Sequence, residues 1–189
     1  PLDHKGAFEV LNRHQWSGIF QFMGLAMQSL AKQTKITEFM DIVNITALAR
    51  PGPMTSGGAS NWIYRKNGWD PRTNAVAKAE YPHPLLEPHL KETLGVVAYQ
   101  EQILNIGREV GDMSWADVTA LRKAMSKSLG EEFFSRYRGG FVEGAVRNGM
   151  PAEIAAPFFD DMSAFGAWGM NKSHCVSYGL VSYWCCWLK

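Results

Sequence analysis

The chain has 189 residues, of which 46% are hydrophobic and 20% are charged, and its formal net charge is +1. This composition excludes an intrinsically disordered chain, and the small net charge argues neither for nor against a nucleic-acid partner. Three cysteines, two of them adjacent, exclude a disulfide framework and a zinc site of the usual spacing. With no run of 18 apolar residues and no charged-then-apolar leader, the sequence predicts a cytoplasmic protein without a membrane span or secretory signal.

The first half of the chain is predicted to hold three helices and a long irregular segment. Apolar residues at helical spacing predict a helix over residues 22–33. Thr37 is predicted as the N-cap of a second, largely buried helix, which ends at a Pro-Gly-Pro turn. The glycine-rich residues 55–60 predict a loop, and a short helix is expected over 61–67. Several prolines make residues 68–90 the predicted irregular excursion, either exposed or at the junction of two lobes.

The second half of the chain is predicted to be more regular. Helices are expected over 100–110, 114–127, 131–148, 151–165 and 175–189. Ser114 and Ser173 are the predicted N-caps of two of these helices, and Gly111 and Gly149 are predicted to end two others. The sequence therefore predicts an all-α fold with few or no strands, built as one core or two small lobes.

One predicted helix carries basic residues without acidic neighbours. Residues 118–130 contain Arg122, Lys123 and Lys127 and no aspartate or glutamate. Lys123 and Lys127 are four residues apart and therefore share a face of the helix. Cations without local carboxylates can bind phosphates, arginine through its planar fork and lysine as a point charge. A solvated basic face is the alternative interpretation.

The C-terminal residues 162–189 also lack acidic side chains. They contain a polar block, Asn171, Lys172, Ser173 and His174, followed by an aromatic-rich segment. A positive, hydrogen-bonding and aromatic surface suits a polyanion that carries stacked bases. Helix capping by Asn171 and Ser173, and a structural role for His174, are the alternatives.

Two further motifs give weaker signals. Arg50 precedes a loop in which backbone N–H groups at Ser56 and Gly57 could contact an anion, although a rigid turn also explains the Pro-Gly-Pro sequence. The polar quartet at residues 99–102 interrupts an apolar helix, and it fits either an exposed helix face or a polar site.

Sequence motifs for catalysis are absent. No Asp-x-Asp pair is present to bind two Mg²⁺ ions, and no Walker loop or Gly-x-Ser-x-Gly motif occurs. The five histidines lack the spacing of metal ligands. The sequence therefore predicts neither a catalytic residue nor a metal site in this chain.

Seven short strings, in order and at similar spacing, resemble the bacterial DNA polymerase III α subunits, which are the C-family polymerases. The resemblance extends from about residue 18 to residue 189. The strings are GIFQF at 18–22, ALARPGPM at 47–54, YPHP at 81–84, LGVVAYQEQ at 94–102, LRKAM at 121–125, FVEGA at 141–145 and GMNKSH at 169–174.

This resemblance implies a helical fingers domain over residues 18–189, connected to an upstream palm through residues 1–17. In the family, a primer 3′-OH attacks the α-phosphate of a dNTP, assisted by two Mg²⁺ ions that palm aspartates hold. Because those aspartates precede this region, the chain alone is expected to bind but not to polymerise. The implied partners are primer–template DNA and dNTP and, through other regions, the sliding clamp and other replisome proteins.

The resemblance also implies roles for individual residues. Arg122 and Lys123 match a basic pair that contacts the triphosphate, where two arginines are usual in the family. Lys127 falls in a turn that has one positive charge fewer than its family counterpart. Several departures of this kind suggest a divergent branch, either phage-encoded or error-prone. The remaining matched residues are Lys172 and His174 for phosphate contacts, and Asn171 and Ser173 for the nascent base pair or the template.

Two other interpretations remain open from the sequence. The chain could be a non-catalytic helical nucleic-acid-binding or scaffold module derived from a polymerase, which the absence of an upstream palm would favour. It could also be a helical structural domain with solvated basic faces. That interpretation predicts no affinity for dNTP or primed DNA above background.

Overall fold

A computed structural model describes residues 1–127, 131–166 and 169–189, without the side chains at 125–127, 131 and 166. The described residues form eleven α-helices and one two-stranded antiparallel sheet, which confirms the predicted mainly helical fold. None of the helices in these ranges is long and apolar enough to cross a membrane.

The elements follow one another with short connections. In chain order they are α1 (Lys5–Asn12), α2 (Leu25–Gln33), α3 (Phe39–Leu48), α4 (Pro51–Thr55), α5 (Gly58–Asn67), β1 (Trp69–Asp70), β2 (Ala75–Val76), α6 (Glu87–Leu90), α7 (Gln100–Glu109), α8 (Trp115–Lys127), α9 (Glu131–Arg147), α10 (Ala152–Gly166) and α11 (Lys172–Leu188). Short 3₁₀ turns at Pro84–Leu86 and Lys91–Thr93 flank α6.

The chain divides into two compact units. The first unit consists of Pro1–Lys78 and Lys172–Lys189, and the second unit consists of Ala79–Asn171. One division between them falls inside the Pro-rich segment predicted at residues 68–90. That segment contains the small β1–β2 hairpin, in which Trp69 pairs with Val76, and the short helix α6.

In the first unit, α11 packs against α3 and α1. A side chain at Gly179 would be tightly placed, because its Cβ would lie 3.1 Å from Val43 Cγ2. The Tyr183 hydroxyl accepts a hydrogen bond from the backbone N–H of His4, and the Ser182 hydroxyl donates one to the carbonyl of Phe20. Helix α1, which lies within the predicted connection at residues 1–17, is therefore packed into this unit.

A buried acidic residue fixes the start of α3. Asp41 accepts hydrogen bonds from the backbone N–H groups of Thr37 and Glu38, and its other carboxylate oxygen lies 2.7 Å from Lys66 Nζ. The Asp41 side chain is only 2% exposed, so the ion pair with Lys66 compensates its burial. The N-cap is Glu38 and not Thr37, which corrects the prediction by one residue.

Other predicted boundaries in the first unit were also wrong. The helix predicted from residue 22 begins at Leu25, because Gln21 adopts a positive φ of 62° and residues before Gly24 form turns. Pro51–Thr55 is a short helix and not only a turn. The predicted loop at 55–60 is shorter than expected, since the left-handed Gly57 is followed directly by α5.

The cysteines all lie on α11 and are free thiols. Cys175 and Cys186 are buried, and Cys185 is half-buried. Burial, together with the neighbouring Cys185, raises the pKa of the Cys186 thiol to about 12. The thiol of Cys186 therefore stays protonated at neutral pH.

In the second unit, α7 to α10 pack around one apolar core. The rings of Phe141 and Phe159 lie 5.1 Å apart at its centre. Helix α9 approaches the end of α7 closely, because a Cβ at Gly144 would clash with the backbone carbonyl of Gly111. The predicted N-cap Ser114 is confirmed, since its hydroxyl oxygen accepts a hydrogen bond from the N–H of Asp117 at 3.1 Å. Gly149, with a φ of 94°, follows α9 as predicted.

Candidate functional site

Helix α8 presents two of the predicted phosphate-binding residues to solvent. Leu121 and Ala124 are fully buried on its core side, so the intervening Arg122 and Lys123 are exposed. Within the described part of the chain, neither of these cations forms an ion pair or a side-chain hydrogen bond. Lys127 is the last residue of α8, and its side chain lies outside the described residues. Arg122 and Lys123 are therefore two adjacent cations placed on a rigid, packed helix.

Two basic residues of α9, Arg138 and Arg147, have a different environment. The Arg138 guanidinium binds both carboxylate oxygens of Asp160 on α10, at 2.7 and 2.9 Å. This contact holds the pKa of the Asp160 carboxyl below its usual value. Arg147 lies 2.9 Å from the carboxylate of Asp112. These two arginines are therefore neutralised inside the unit, whereas Arg122 and Lys123 have no carboxylate partner among the described residues.

Three residues of the predicted block, Lys172, Ser173 and His174, lie in the first unit at the start of α11. Helix α11 begins at Lys172, so Ser173 is in its first turn and is not the N-cap. No acidic residue occurs in this first turn, where exposed backbone N–H groups give a helix a partial positive charge. Ser173 and His174 are exposed, and the His174 ring lies 3.9 Å from the ring of Tyr178. The anion contacts of this block stay a prediction.

Asn171 lies in the second unit, at the end of a segment that joins another sequence motif. The N–H of Met170 donates to the carbonyl of Ala98, and the N–H of Gln100 donates to the carbonyl of Met170. The Asn171 amide then donates a hydrogen bond to the Glu101 carboxylate at 3.0 Å. The strings at 94–102 and 169–174, which are far apart in the sequence, therefore meet at residues 98–101 and 169–171.

Glu101 is a site residue that sequence reasoning missed. The block at 162–189 lacks acidic residues in the sequence, but the fold places the Glu101 carboxylate against Asn171. The sequence signals were the polar quartet at residues 99–102, which fits a polar site, and the presence of both strings in the resemblance. Because Asn171 has this partner, its amide orientation is fixed by a charged acceptor.

Gln102 organises the backbone beside Glu101. Its side-chain oxygen accepts from the N–H groups of Ala98 and Tyr99, at 2.8 and 2.9 Å. Its amide nitrogen donates to the Thr93 hydroxyl at 2.8 Å. Tyr99 is fully buried and Gln102 is 7% exposed, so the alternative of an exposed face at residues 99–102 was wrong for these two residues. Gln102 is a structural residue that supports the segment holding Asn171.

The predicted loop contacts Arg50, Ser56 and Gly57 all lie in the first unit. Arg50 is half-buried, and its Nε donates to the carbonyl of Ala47 at 2.9 Å. Burial lowers the pKa of the Arg50 guanidinium, an effect that the nearby Cys175 thiol partly opposes. The N–H of Ser56 donates to the carbonyl of Gly52, so this N–H ends α4 and is not directed to a ligand. At Gly57, the left-handed backbone (φ 83°) has a structural purpose because it connects α4 to α5.

Comparison with known proteins decides the family. The model of the family described as the bacterial DNA polymerase III alpha subunit finger domain matches residues 1–149 of this chain. The chain belongs to this family. It is 39% identical over its whole length to the DNA polymerase III subunit alpha of Pseudomonas aeruginosa, 38% identical to that of Escherichia coli K12 and 37% identical to that of Aquifex aeolicus. The resemblance found in the seven strings is thereby confirmed.

The chain spans 16% of the length of each of these relatives. The family match over residues 1–149 includes α8 with Arg122 and Lys123. The block at 171–174 lies outside that match, but the alignments with the three relatives include it. Among the described residues, no group of three or more His, Cys, Asp or Glu side chains could hold a metal ion. The described residues therefore do not fit the Mg²⁺ ions of the family's reaction.

Proposed function

We propose that this chain is the part of a replicative DNA-directed DNA polymerase that closes on the incoming dNTP and the templating base. The observation that carries the proposal is the finger-domain match over residues 1–149, which contain the adjacent exposed cations Arg122 and Lys123. Their lack of carboxylate partners in the described part of the chain leaves them available to a triphosphate. A neutralised pair such as Arg138–Asp160 would be much less suited to that purpose.

In this proposal the residues bind and orient the substrates and stabilise charge. Arg122 contacts phosphate oxygens through its planar fork and Lys123 contacts them as a point charge, so that negative charge is stabilised as pyrophosphate leaves. Lys127 adds a third cation on the same helix. The first turn of α11 contributes Lys172 and His174 to phosphate, while Asn171 and Ser173 contact the nascent base pair or the template.

Mg²⁺ ions, which supply the activation of the primer hydroxyl in nucleotidyl transfer, belong in this proposal to residues outside the chain. The partners proposed for the whole polymerase are primer–template DNA, dNTP, the sliding clamp and other replisome proteins. Its proposed location is the cytoplasm. The supporting observation for all of these is the identity to DNA polymerase III alpha subunits over the whole chain.

Primer extension tests the proposal directly. A longer polypeptide that contains this chain and its upstream palm should extend a primed template with Mg²⁺ and all four dNTPs. The 189-residue chain alone should not extend it, because its described residues hold no metal-binding carboxylate group. Absence of extension by both polypeptides would contradict the proposal and favour a non-catalytic nucleic-acid-binding module.

The role of Asn171 can be separated from its structural contact. Asn171→Ala in the longer polypeptide should change nucleotide incorporation or fidelity, with a loss of stability no larger than that of a control variant, since Asn171 and the asparagine of the control are both exposed. A matched control is Asn148→Ala, because the Asn148 amide donates to the carbonyl of Val110 at 2.9 Å in a structural contact. The control should lower stability by about 1 kcal/mol and leave fidelity unchanged. A large loss of stability with normal fidelity in Asn171→Ala would contradict its proposed role.

A further inference from the structure

Two neighbouring hollows lie on the surface of the first unit, one between α2, α5 and the β1–β2 hairpin and the other between the ends of α1 and α2. The aromatic hollow is lined by Gln33, Ile63, Tyr64, Asn67, Trp69 and Pro71. The basic hollow includes His14, Lys32 and Lys35 in its lining and shares Gln33 with the first. None of the described residues that line either hollow is acidic. Together we call them the Trp69 groove.

Hydrogen bonds hold the two hollows in a fixed relation. The Asn67 amide donates to the backbone carbonyl of Gln33 at 2.6 Å, which ties the end of α5 to the end of α2. The Thr34 hydroxyl donates to the Asn67 side-chain oxygen at 3.4 Å. The shared residue Gln33 therefore lies at a rigid junction, and the groove is a formed surface of this unit.

The aromatic hollow offers planar groups to a ligand. Trp69 is 45% exposed at the start of the hairpin, where the left-handed Gly68 (φ 75°) turns the chain out of α5. The Arg72 guanidinium lies 4.8 Å from the centre of the Tyr64 ring and is held there by Asp70 and Asn61. An exposed indole beside a stacked guanidinium and phenol is a surface on which a nucleic-acid base can stack.

The basic hollow offers positive charge that the described protein groups do not neutralise. Lys32 and Lys35 are exposed, and neither forms an ion pair within the described ranges. Lys32 Nζ lies 5.5 Å from the centre of the buried Trp16 ring, which orients it without neutralising it. The nearby carboxylates of Glu38 and Asp41 are both bound to Lys66. A phosphate group approaching Lys32 and Lys35 therefore meets cations and no free carboxylate.

The distribution of charged residues in the sequence also favours an anionic ligand on the first unit. Between residues 42 and 78 the only acidic residue is Asp70, and its carboxylate is bound to Arg72 at 2.7 Å. The chain as a whole is close to neutral, with a net charge of +1. The first unit as a whole has eleven lysines and arginines against five aspartates and glutamates, a net charge of +6, which favours a polyanion on this unit.

We propose that the Trp69 groove binds single-stranded nucleic acid. An unpaired base stacks on Trp69 in the aromatic hollow, and a neighbouring phosphate contacts Lys32 and Lys35 in the basic hollow. A single strand is favoured over a duplex because the bases of a duplex are already stacked on one another and cannot cover the indole. Sequence preference is expected to be weak, since every base has a planar face.

This inference concerns binding only and does not depend on the proposed polymerase function. None of the groove residues is among those predicted to contact the triphosphate. A chain that bound single strands in the groove but took no part in nucleotidyl transfer would support this inference and contradict the other. Primer extension by the longer polypeptide with no binding of single strands by the groove would do the reverse.

Fluorescence anisotropy with the 189-residue chain tests the groove. The probes are a labelled oligothymidylate of about ten nucleotides and a duplex of the same length. The single strand should bind more tightly than the duplex, and Trp69→Ala should weaken binding of the single strand about tenfold. The matched control is Trp115→Ala, which removes a 72% exposed tryptophan that also contacts an arginine, Arg108, but lies in the second unit. The control should not change binding.

The salt dependence of binding tests the two lysines separately. For a single strand, each lost phosphate contact lowers the slope of log Kd against log salt by about 0.7. The double variant Lys32→Gln/Lys35→Gln should therefore lower the slope by about 1.4. The control Lys5→Gln/Lys91→Gln removes the same charge from exposed positions outside the groove and should leave the slope unchanged.

Three results would overturn the inference. They are equal affinity for duplex and single strand, equal loss of binding in Trp69→Ala and Trp115→Ala, and an unchanged salt slope in the Lys32/Lys35 double variant. If Trp69→Ala lowers the melting temperature, the double variant decides the outcome, because it leaves the hairpin intact.

Discussion

Helices α8 and α9 are consecutive in the chain, and two basic residues on each helix have opposite surroundings. On α9, Arg138 is bound to both oxygens of Asp160 and Arg147 to Asp112. On α8, Arg122 and Lys123 have no carboxylate partner among the described residues. Both helices contribute to the same apolar core, through Leu121 on α8 and residues such as Phe141 on α9.

The difference shows how the fold distributes its charges. An arginine that is already paired with a carboxylate gains little from another anion, and an exposed pair of this kind contributes little to stability. Unpaired cations held side by side on a packed helix retain their full attraction for phosphate. We therefore regard Arg122 and Lys123 of α8 as the cations that are presented to a ligand, whereas α9 contributes to the second unit mainly through its apolar residues.

The largest effect on the free energy of unfolding is expected from a substitution that displaces α9. Gly144→Ala places a Cβ against the backbone carbonyl of Gly111, so we expect a loss of about 3 kcal/mol in the free energy of unfolding. The matched control is Gly139→Ala on the same helix, where a Cβ meets nothing within 4 Å. Because alanine favours the helix, the control should be neutral or more stable by up to about 1 kcal/mol. Urea unfolding measures both, and equal midpoints would contradict the close approach of α9 to Gly111.

A smaller effect should separate the two kinds of arginine in function. In the longer polypeptide, Arg122→Ala should raise the KM for dNTP or lower kcat by about tenfold, since a charged hydrogen bond contributes about 1.5–3 kcal/mol. Arg138→Ala removes an arginine that is already paired and should leave both kinetic constants nearly unchanged. Steady-state primer extension measures both variants. Unchanged kinetics in Arg122→Ala for all four dNTPs would contradict the assignment of α8.

The smallest expected effect concerns the ionisation of Asp160. Its hydrogen bond with Arg138 lowers the pKa of the folded carboxyl below the unfolded value of about 3.9. The pair therefore stabilises the fold above that pH, and this contribution is lost as the pH falls through the lowered pKa. An NMR titration of Asp160 should show a normal pKa in Arg138→Gln. The same low pKa in wild type and variant would show that the pair is not formed in solution.

Much of the helical content could be predicted from local signals. The N-cap at Ser114 and the glycine after α9 were predicted correctly because capping depends on a few neighbouring residues. Boundaries that depend on other segments were predicted less well. The start of α3 is fixed by Asp41 and its ion pair with Lys66, a residue from another helix, and α11 begins at Lys172 and not after Ser173.

The candidate site shows the same limit. The sequence alone indicated Arg122, Lys123 and the block at 171–174 as charged or polar groups without acidic neighbours, because composition along a segment is visible in one dimension. It could not show that Glu101 would bind Asn171, or that Arg50 would turn inward to the carbonyl of Ala47.

By itself, the sequence determined that this chain is mainly helical, that it belongs to the family of its seven strings, and which segments carry basic residues without acidic neighbours along the chain. Only the tertiary structure decided which cations are paired. It also formed the Trp69 groove, from residues at the end of α1 and from α2, α5 and the hairpin. The physical reason is that helix propensity and capping act over a few residues, whereas ion pairs and hollows form between side chains that only folding brings together.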